Sequence, residues 1–321
     1  MVQKDATVVG AGAGRVFLLL QGPMSFFFTY LAAALRDRDA VALRMLFCPG
    51  DGLFHRGGPG IAYRGRPRDW PAYAESFMRD RGVTDLVCLG DGRRWHEDGI
   101  AAARRVGARV HLVEQGYLRP HFLTVEPDGT GGRSRFPREW PAIEALAKGA
   151  KPPEPPPHRA SFLGFAAMDV AFNLANLIGA RILYPHYERH AIDHPAYEWA
   201  GWIWNKALKA RGRARALQGA EGRLARHEGP VFLTPLQLDT DYQIRLHAPP
   251  GGVEALLRRV VASFAAHAPA DALLAVKAHP LDHGWADWDA KARAAARREG
   301  IAERLVFLDG GDLGRMLTGA A

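Results

Sequence analysis

From residue 15 to residue 125 the chain repeats one pattern: a short apolar run, a turn rich in Gly or Pro, then a helix-period stretch. "RVFLLL" leads through "QGPMS" into "FFFTYLAAALRDRD", and "VALRMLF" ends in "CPGDGLFHRGGPG". "PAYAESFMRDRG" has helical spacing, "TDLVCLG" reads as a strand, "WHEDGIAAARRVG" as a helix and "ARVHLVEQG" as a strand. Strands alternating with helices predict a parallel sheet covered on both faces. Ligands of such sheets bind beyond the carboxyl ends of the strands. Four loops fall there: "QGPMS", "CPGDG", "GDGRR" and "EQGYLRP". The apolar stretch "VFLLLQGPMSFFFTYLAAAL" is broken by Gln21, Gly22, Pro23 and Ser25, so it reads as strand, turn and helix and not as a membrane span.

The proline density of "KPPEPPP", residues 151 to 157, forces extended backbone and marks a boundary. Beyond it, "SFLGFAAMDVAFNLANLIGARILY" is apolar except for Asp169, Asn173 and Asn176, which share one helical face. That stripe favours a helix packed on a domain or lying at an interface over a lipid-facing span. Trp199, Trp202 and Trp204 then lead into Lys206, Lys209, Arg211, Arg213 and Arg215. Aromatics followed by cations suit a membrane-surface helix, and equally a solvated connecting helix. A second alternation begins at 231 with "VFLTPL", "GGVEALLRRVVASFAAHA", "ALLAVKAHP", "WDAKARAAARREG" and "RLVFLDG". The expected organisation is a flexible leader over 1–14 and a Rossmann-like unit over 15–150. A Pro-rich and helical connecting segment follows over 151–228, then an incomplete second Rossmann-like unit over 229–321. The glycine run at 10 to 14 precedes a strand instead of joining strand to helix, which weakens a dinucleotide reading.

Bulk composition narrows the function classes. The net charge of +8 comes from 42 basic against 34 acidic residues, and only seven of the basic ones are Lys. These charges are scattered, and neither zinc-finger spacing nor an RNA-binding aromatic signature is present, so nucleic acid is not an expected partner. A basic surface fits anionic substrates or acidic membrane surfaces better. Cys48 and Cys88 each lie beside an apolar run and read as buried thiols of a reducing compartment, without a disulfide framework or a metal site. The first residues lack the apolar core of a signal peptide, and the expected location is cytoplasmic.

Two loops of the second unit carry the candidate chemistry. In "PLQLDTDYQIRLH" the carboxylates of Asp239 and Asp241 stand at period two, on one side of an extended chain, with Arg245 and His247 just beyond. In "KAHPLDH" the residues Lys277, His279, Asp282 and His283 crowd around Pro280. Adjacent parallel strands bring both loops to one rim, where Asp241 can face His279. In the first unit "EQGYLRP" supplies Glu114 and Arg119 at a strand end. Carboxylates facing a cation-rich loop suit an anionic, activated substrate. Taken singly, each has a plainer explanation: an Asp at a strand end usually caps or turns the chain.

Several stretches, in order, give the chain a likeness to a known family: "VFLLLQGPMSFFFTYLAAAL", "AYRGRPRDWPAY", "VEQGYLRPHFLTVE", "YPHYERH", "PLQLDTDYQIRLH" and "VKAHPLD". The sequence resembles the KpsS/LipB capsule polysaccharide biosynthesis and export proteins from about residue 15 to about residue 310. The resemblance implies an α/β, GT-B-like glycosyltransferase fold of two Rossmann-like units. It also implies transfer of the acidic sugar Kdo from CMP-β-Kdo to a phosphatidylglycerol-type lipid, with retention. The protein would then sit peripherally on the inner membrane of a Gram-negative bacterium, beside other capsule assembly proteins, and need no cofactor or metal.

By the same resemblance Asp241 matches a carboxylate nucleophile, and His279 and Pro280 a motif associated with the nucleotide phosphate. Lys277 is a further donor to that phosphate, and Arg119 or Arg245 a partner for the Kdo carboxylate. Asp239 is expected to orient Asp241, and Glu114 to act as acid or base toward the acceptor. Gln237, His247 and Gly22 complete the expected substrate contacts. Family members continue with further strands and a Ser/Thr-Gly loop where "MLTGAA" stands here, and "HAPPGGV" replaces "HSPFGGV", so a C-terminally truncated member is expected. Two other readings stay open: a non-catalytic lipid- or glycan-binding component of capsule assembly, and an inverting transferase with another nucleotide sugar, Asp241 then serving as a base.

Overall fold

A computed structural model describes residues 14–116, 122–151, 154, 161–189, 191–313 and 316. It divides into two compact units, Met1–His190 and Ala191–Ala321. Residues 1–13 of the expected leader and most of "KPPEPPP" lie outside the described residues.

The first unit is built on a six-stranded sheet. Its strands are β1 (Val16–Leu19), β2 (Val41–Leu46), β3 (Gly60–Ala62), β4 (Asp85–Leu89), β5 (Arg109–Gln115) and β6 (Leu123–Pro127). Their spatial order is β3-β2-β1-β4-β5-β6. The first five are parallel, and β6 returns antiparallel beside β5. The order reverses at β1 and β4, which makes their carboxyl ends a topological switch point. Covering helices are α1 (Phe27–Arg36), α2 (Pro49–Leu53), α3 (Trp70–Asp80) and α4 (Arg94–Arg105), and α5 (Trp140–Ala147) follows the sheet.

Burial explains why these segments are strands: β2 and β4 carry apolar side chains on both faces, as parallel strands sandwiched between helices must. One side of the sheet is locked by aromatic rings. The Trp70 indole donates to the Trp95 carbonyl at 2.9 Å, and Phe47 and Tyr63 pack edge-on against Trp70. At the amino ends of β1, β4 and β5 the fully buried Asp85 gathers Arg15, Thr84, Arg109 and His111. Burial opposes its ionisation, but hydrogen bonds from Arg15, His111 and Thr84 outweigh that and hold the carboxyl well below the usual range.

Residues expected to form a connecting segment divide between the units. Helix α6 (Phe162–Leu183) belongs to the first, while α7 (Pro195–Trp202), a π-helical turn (Ile203–Leu208) and α8 (Ala210–Ala225) belong to the second. The polar stripe explains the placement of α6. Asn176 accepts from the Gly50 N–H at 2.8 Å, and the Phe172 ring lies against Gly50 and stacks on Phe54. Among the described residues, Leu163–Leu183 is the one helix long and apolar enough to cross a membrane, although it is docked along α2.

In the second unit β7 (Val231–Pro235), β8 (Leu273–Lys277) and β9 (Leu305–Leu308) form a parallel sheet in the order β7-β8-β9. Helices α9 (Tyr242–His247), α10 (Gly252–His267) and α11 (Trp288–Arg298) complete it. Val253, Leu257, Val261 and Phe264 recur at helical spacing along α10 and pack with Leu274, Val276 and Trp288. Arg213 of α8 ties down Asp309 after β9 through both side-chain oxygens and its carbonyl.

Candidate functional site

The loops after β7 and β8 leave the same rim of the second sheet, since Pro235 pairs with Lys277 in parallel register. Leu236 continues the ladder by donating to the Lys277 carbonyl at 2.8 Å. Beyond Leu236 the chain is not the extended segment the period-two carboxylates predict. It turns at Leu238–Asp241 and enters α9, because each carboxylate answers an unpaired N–H at a helix start. Asp241 caps α9, its Oδ1 accepting from the Gln243 N–H at 2.9 Å. The Asp239 Oδ1 accepts from the Val253 N–H, also at 2.9 Å, in the first turn of α10. Gly251 and Gly252, both with positive φ, make the tight approach to α10, and a side chain on Gly252 would meet Asp239.

The remaining predicted residues of this rim are spread out. Gln237 and Pro280 are exposed; Arg245 lies over the Tyr242 ring on α9, and His247 ends that helix in solvent. His279 is half-buried, and its Nδ1 accepts from the Leu281 N–H at 3.1 Å, which holds the ring to its own loop. Asp282 accepts from the Gly284 N–H and the Trp288 indole, so it braces the loop. Lys277, expected to donate to a phosphate, is instead buried at the end of β8. Burial lowers its pKa, while Asp309 and Asp312 favour the charged form. A strand buried on both faces has no solvent side to offer this residue.

In the first unit Glu114 accepts from the buried Thr130 hydroxyl at 2.9 Å, and Thr130 also reaches Asp91 at 3.5 Å. Arg119 lies outside the described residues. Gly22 is buried where a Cβ would stand 2.9 Å from the Phe28 ring, so packing alone accounts for the glycine.

The switch point of this unit holds polar groups that motif reading left unassigned. Three of the four rim loops meet there. The Gln21 side chain donates to Asp51 at 3.3 Å, and Arg93 donates to Gln21 Oε1 at 3.3 Å and to the Gly22 carbonyl at 3.4 Å. Tyr187, from "YPHYERH", lies 3.4 Å from Gln21 and closes the group. Burial raises the pKa of Asp51, and it pushes that of Tyr187 well up. His96 is fully buried with Nδ1 at 3.1 Å from the Gly90 carbonyl, and its Nε2 has no hydrogen-bond partner among the described residues. Burial, helped by the nearby Arg93 charge, pushes its pKa down to about 3, so it is neutral with Nδ1–H donating. Isolated polar residues inside glycine-rich loops were the available signal for this cluster. No group of three metal-ligating side chains is present among the described residues.

Residues 84–320 match the capsule polysaccharide biosynthesis protein family. The chain belongs to that family. It is 29% identical over 302 residues to the capsule polysaccharide export protein KpsS of Escherichia coli, covering 92% of this chain and 76% of KpsS. It is 28% identical over 276 residues to the capsule polysaccharide modification protein LipB of Neisseria meningitidis serogroups A and B, covering 84% of this chain and 66% of LipB. Two solved structures are similar over 95% of the chain: the S. aureus MnaA–UDP structure, 12% identical with TM-score 0.28, and the UDP-GlcNAc 2-epimerase of Methanocaldococcus jannaschii, 10% identical with TM-score 0.26. At those scores neither bears on the chemistry here.

Proposed function

We propose that this chain is a capsule-assembly glycosyltransferase that moves Kdo from CMP-β-Kdo to a phosphatidylglycerol-type lipid at the cytoplasmic face of the inner membrane. The observation that carries this reading is the common rim. In a member of a capsule biosynthesis family, the loop bearing Asp239 and Asp241 and the loop bearing His279 leave hydrogen-bonded parallel strands side by side.

In this reading Asp241 attacks the anomeric carbon of Kdo, and the bond to the CMP phosphate breaks with its electron pair leaving on the phosphate. The acceptor hydroxyl then attacks the same carbon, the ester bond to Asp241 breaks, and the hydroxyl proton passes to a solvent base. Two displacements return the starting configuration. Capping α9 through Oδ1 suits such a nucleophile: the bond from the Gln243 N–H fixes the carboxylate in place, and its second oxygen is left for attack. His279 is assigned to the leaving phosphate and Arg245 to the Kdo carboxylate. Asp239, fixed to α10, sets the course of the loop.

The capping geometry also favours a second reading, in which both carboxylates are structural and the chain is a non-catalytic binding component of capsule assembly. Incubating the protein with CMP-Kdo and a lysophosphatidylglycerol, then analysing the lipid fraction by mass spectrometry, separates the two. A lipid carrying one Kdo supports the transferase. CMP-Kdo left intact beside a correctly folded protein supports the binding component.

A further inference from the structure

Helix α6 is inside-out for a helix of a water-soluble unit. Its amides point inward, with Asn173 and Asn176 only 7% and 6% exposed, while Leu163, Ile178 and Ile182 are 79%, 77% and 82% exposed. Positions 163, 170, 174, 178 and 182 follow helical spacing and form one apolar stripe along about 33 Å of helix. The helix cannot cross a bilayer alone, because Gly50 and Phe54 of the α2 region occupy its other side through Asn176 and Phe172. An apolar face of this size, borne on a globular unit, fits the plane of a membrane interface.

The charges at one end of the stripe select the partner. Past Tyr184, which follows α6, Pro185 and His186 join Arg66, Arg68 and Arg94 around a cleft of about 420 Å³. Arg94 is shared with Glu188 at 2.5 Å and Arg68 lies 3.6 Å from Asp69; the cations still outnumber these two carboxylates. Arg181 is exposed near the same end. Apolar area ending in clustered arginines complements acyl chains beneath anionic headgroups.

We infer that the outward face of α6 is the surface by which the first unit docks on an anionic phospholipid bilayer, with the Arg66–Arg68–Arg94 cleft facing the phosphate layer. This placement goes beyond the transfer reading and stands whether or not Kdo is transferred.

The test is flotation of the full chain with vesicles of phosphatidylglycerol and phosphatidylethanolamine, and with vesicles of phosphatidylcholine alone. Wild type should float with the first and weakly with the second. Ile178→Asp combined with Ile182→Asp should lower partitioning about tenfold or more, and Arg66→Glu with Arg68→Glu should abolish the anionic preference. Because Cys48 and Cys88 are buried, an Ile178→Cys variant can carry an environment-sensitive fluorophore at that site, and its emission should shift to the blue on vesicle binding. Wild-type flotation by the Ile178/Ile182 variant, or an unshifted probe on bound protein, overturns the inference. So does conversion of a dimer to a monomer by that variant with flotation unchanged, which makes the face an interface between copies.

Discussion

Asp239 and Asp241 are two residues apart and cap different helices, Asp241 the start of α9 and Asp239 the first turn of α10. One short loop is therefore pinned at two points, and its carboxylates hold the positions from which α9 and α10 depart.

Stability should separate the roles of this pair from any role in catalysis. Asn caps a helix nearly as well as Asp, so Asp241→Asn is expected to cost less than about 0.5 kcal/mol. Asp239→Ala removes the acceptor for the Val253 N–H and should cost about 1 kcal/mol. Urea unfolding of both variants checks the ranking.

Asp85 anchors the amino ends of three strands, so Asp85→Asn should be more damaging. It leaves the part-exposed Arg15 with an uncharged, fully buried partner and is expected to cost about 2 kcal/mol at pH 7. The folded carboxyl titrates below its unfolded value, so its contribution is fully present above the unfolded pKa and fades only as pH falls through the folded one. Denaturant midpoints at pH 7 should show the whole loss.

His96 predicts a pH slope of its own. It stays neutral when folded down to about pH 3 and takes a proton near its ordinary value when unfolded. Between those values the unfolded chain holds the extra proton, so stability falls as pH falls, by about 1.4 kcal/mol per pH unit. His96→Gln should remove that component. The difference between the wild-type and variant slopes from pH 6 to pH 4.5 is the measurement.

Gly50 lies where a Cβ would enter the Phe172 ring well inside van der Waals contact. Gly50→Ala should therefore push α6 away from α2, at a cost of about 1–3 kcal/mol. Limited proteolysis should show earlier cleavage within 162–183 than in wild type.

Much of the architecture was legible because parallel strands buried on both faces read as near-continuous apolar runs, as "VALRML" and "LLAVK" do despite Arg44 and Lys277. β6 was not legible: "LTVEP" is an edge strand with exposed and half-buried positions in alternation, and it resembles a loop. The division at His190 and Ala191 left no compositional mark. It depends on which unit α6 packs against, and that is decided by single contacts such as Asn176 to Gly50. The rim loops were legible as loops, but their partners were not. Gln21, Asp51 and Arg93 meet only through the strand order β2-β1-β4, which no local pattern encodes. Lys277 shows the converse case, a charge that reads as a rim donor and is held inside by the strand that carries it.

In the proposed transfer the Asp241 carboxylate forms the bond to the sugar. That step is tested most directly by the rate of CMP release from CMP-Kdo, with lipid acceptor present, in wild type and in a folded Asp241→Asn variant. If Asp241 is the nucleophile, the variant should lose about 10³-fold or more. Release within about twofold of wild type, at unchanged stability, would contradict it and leave Asp241 as the cap of α9 and nothing more.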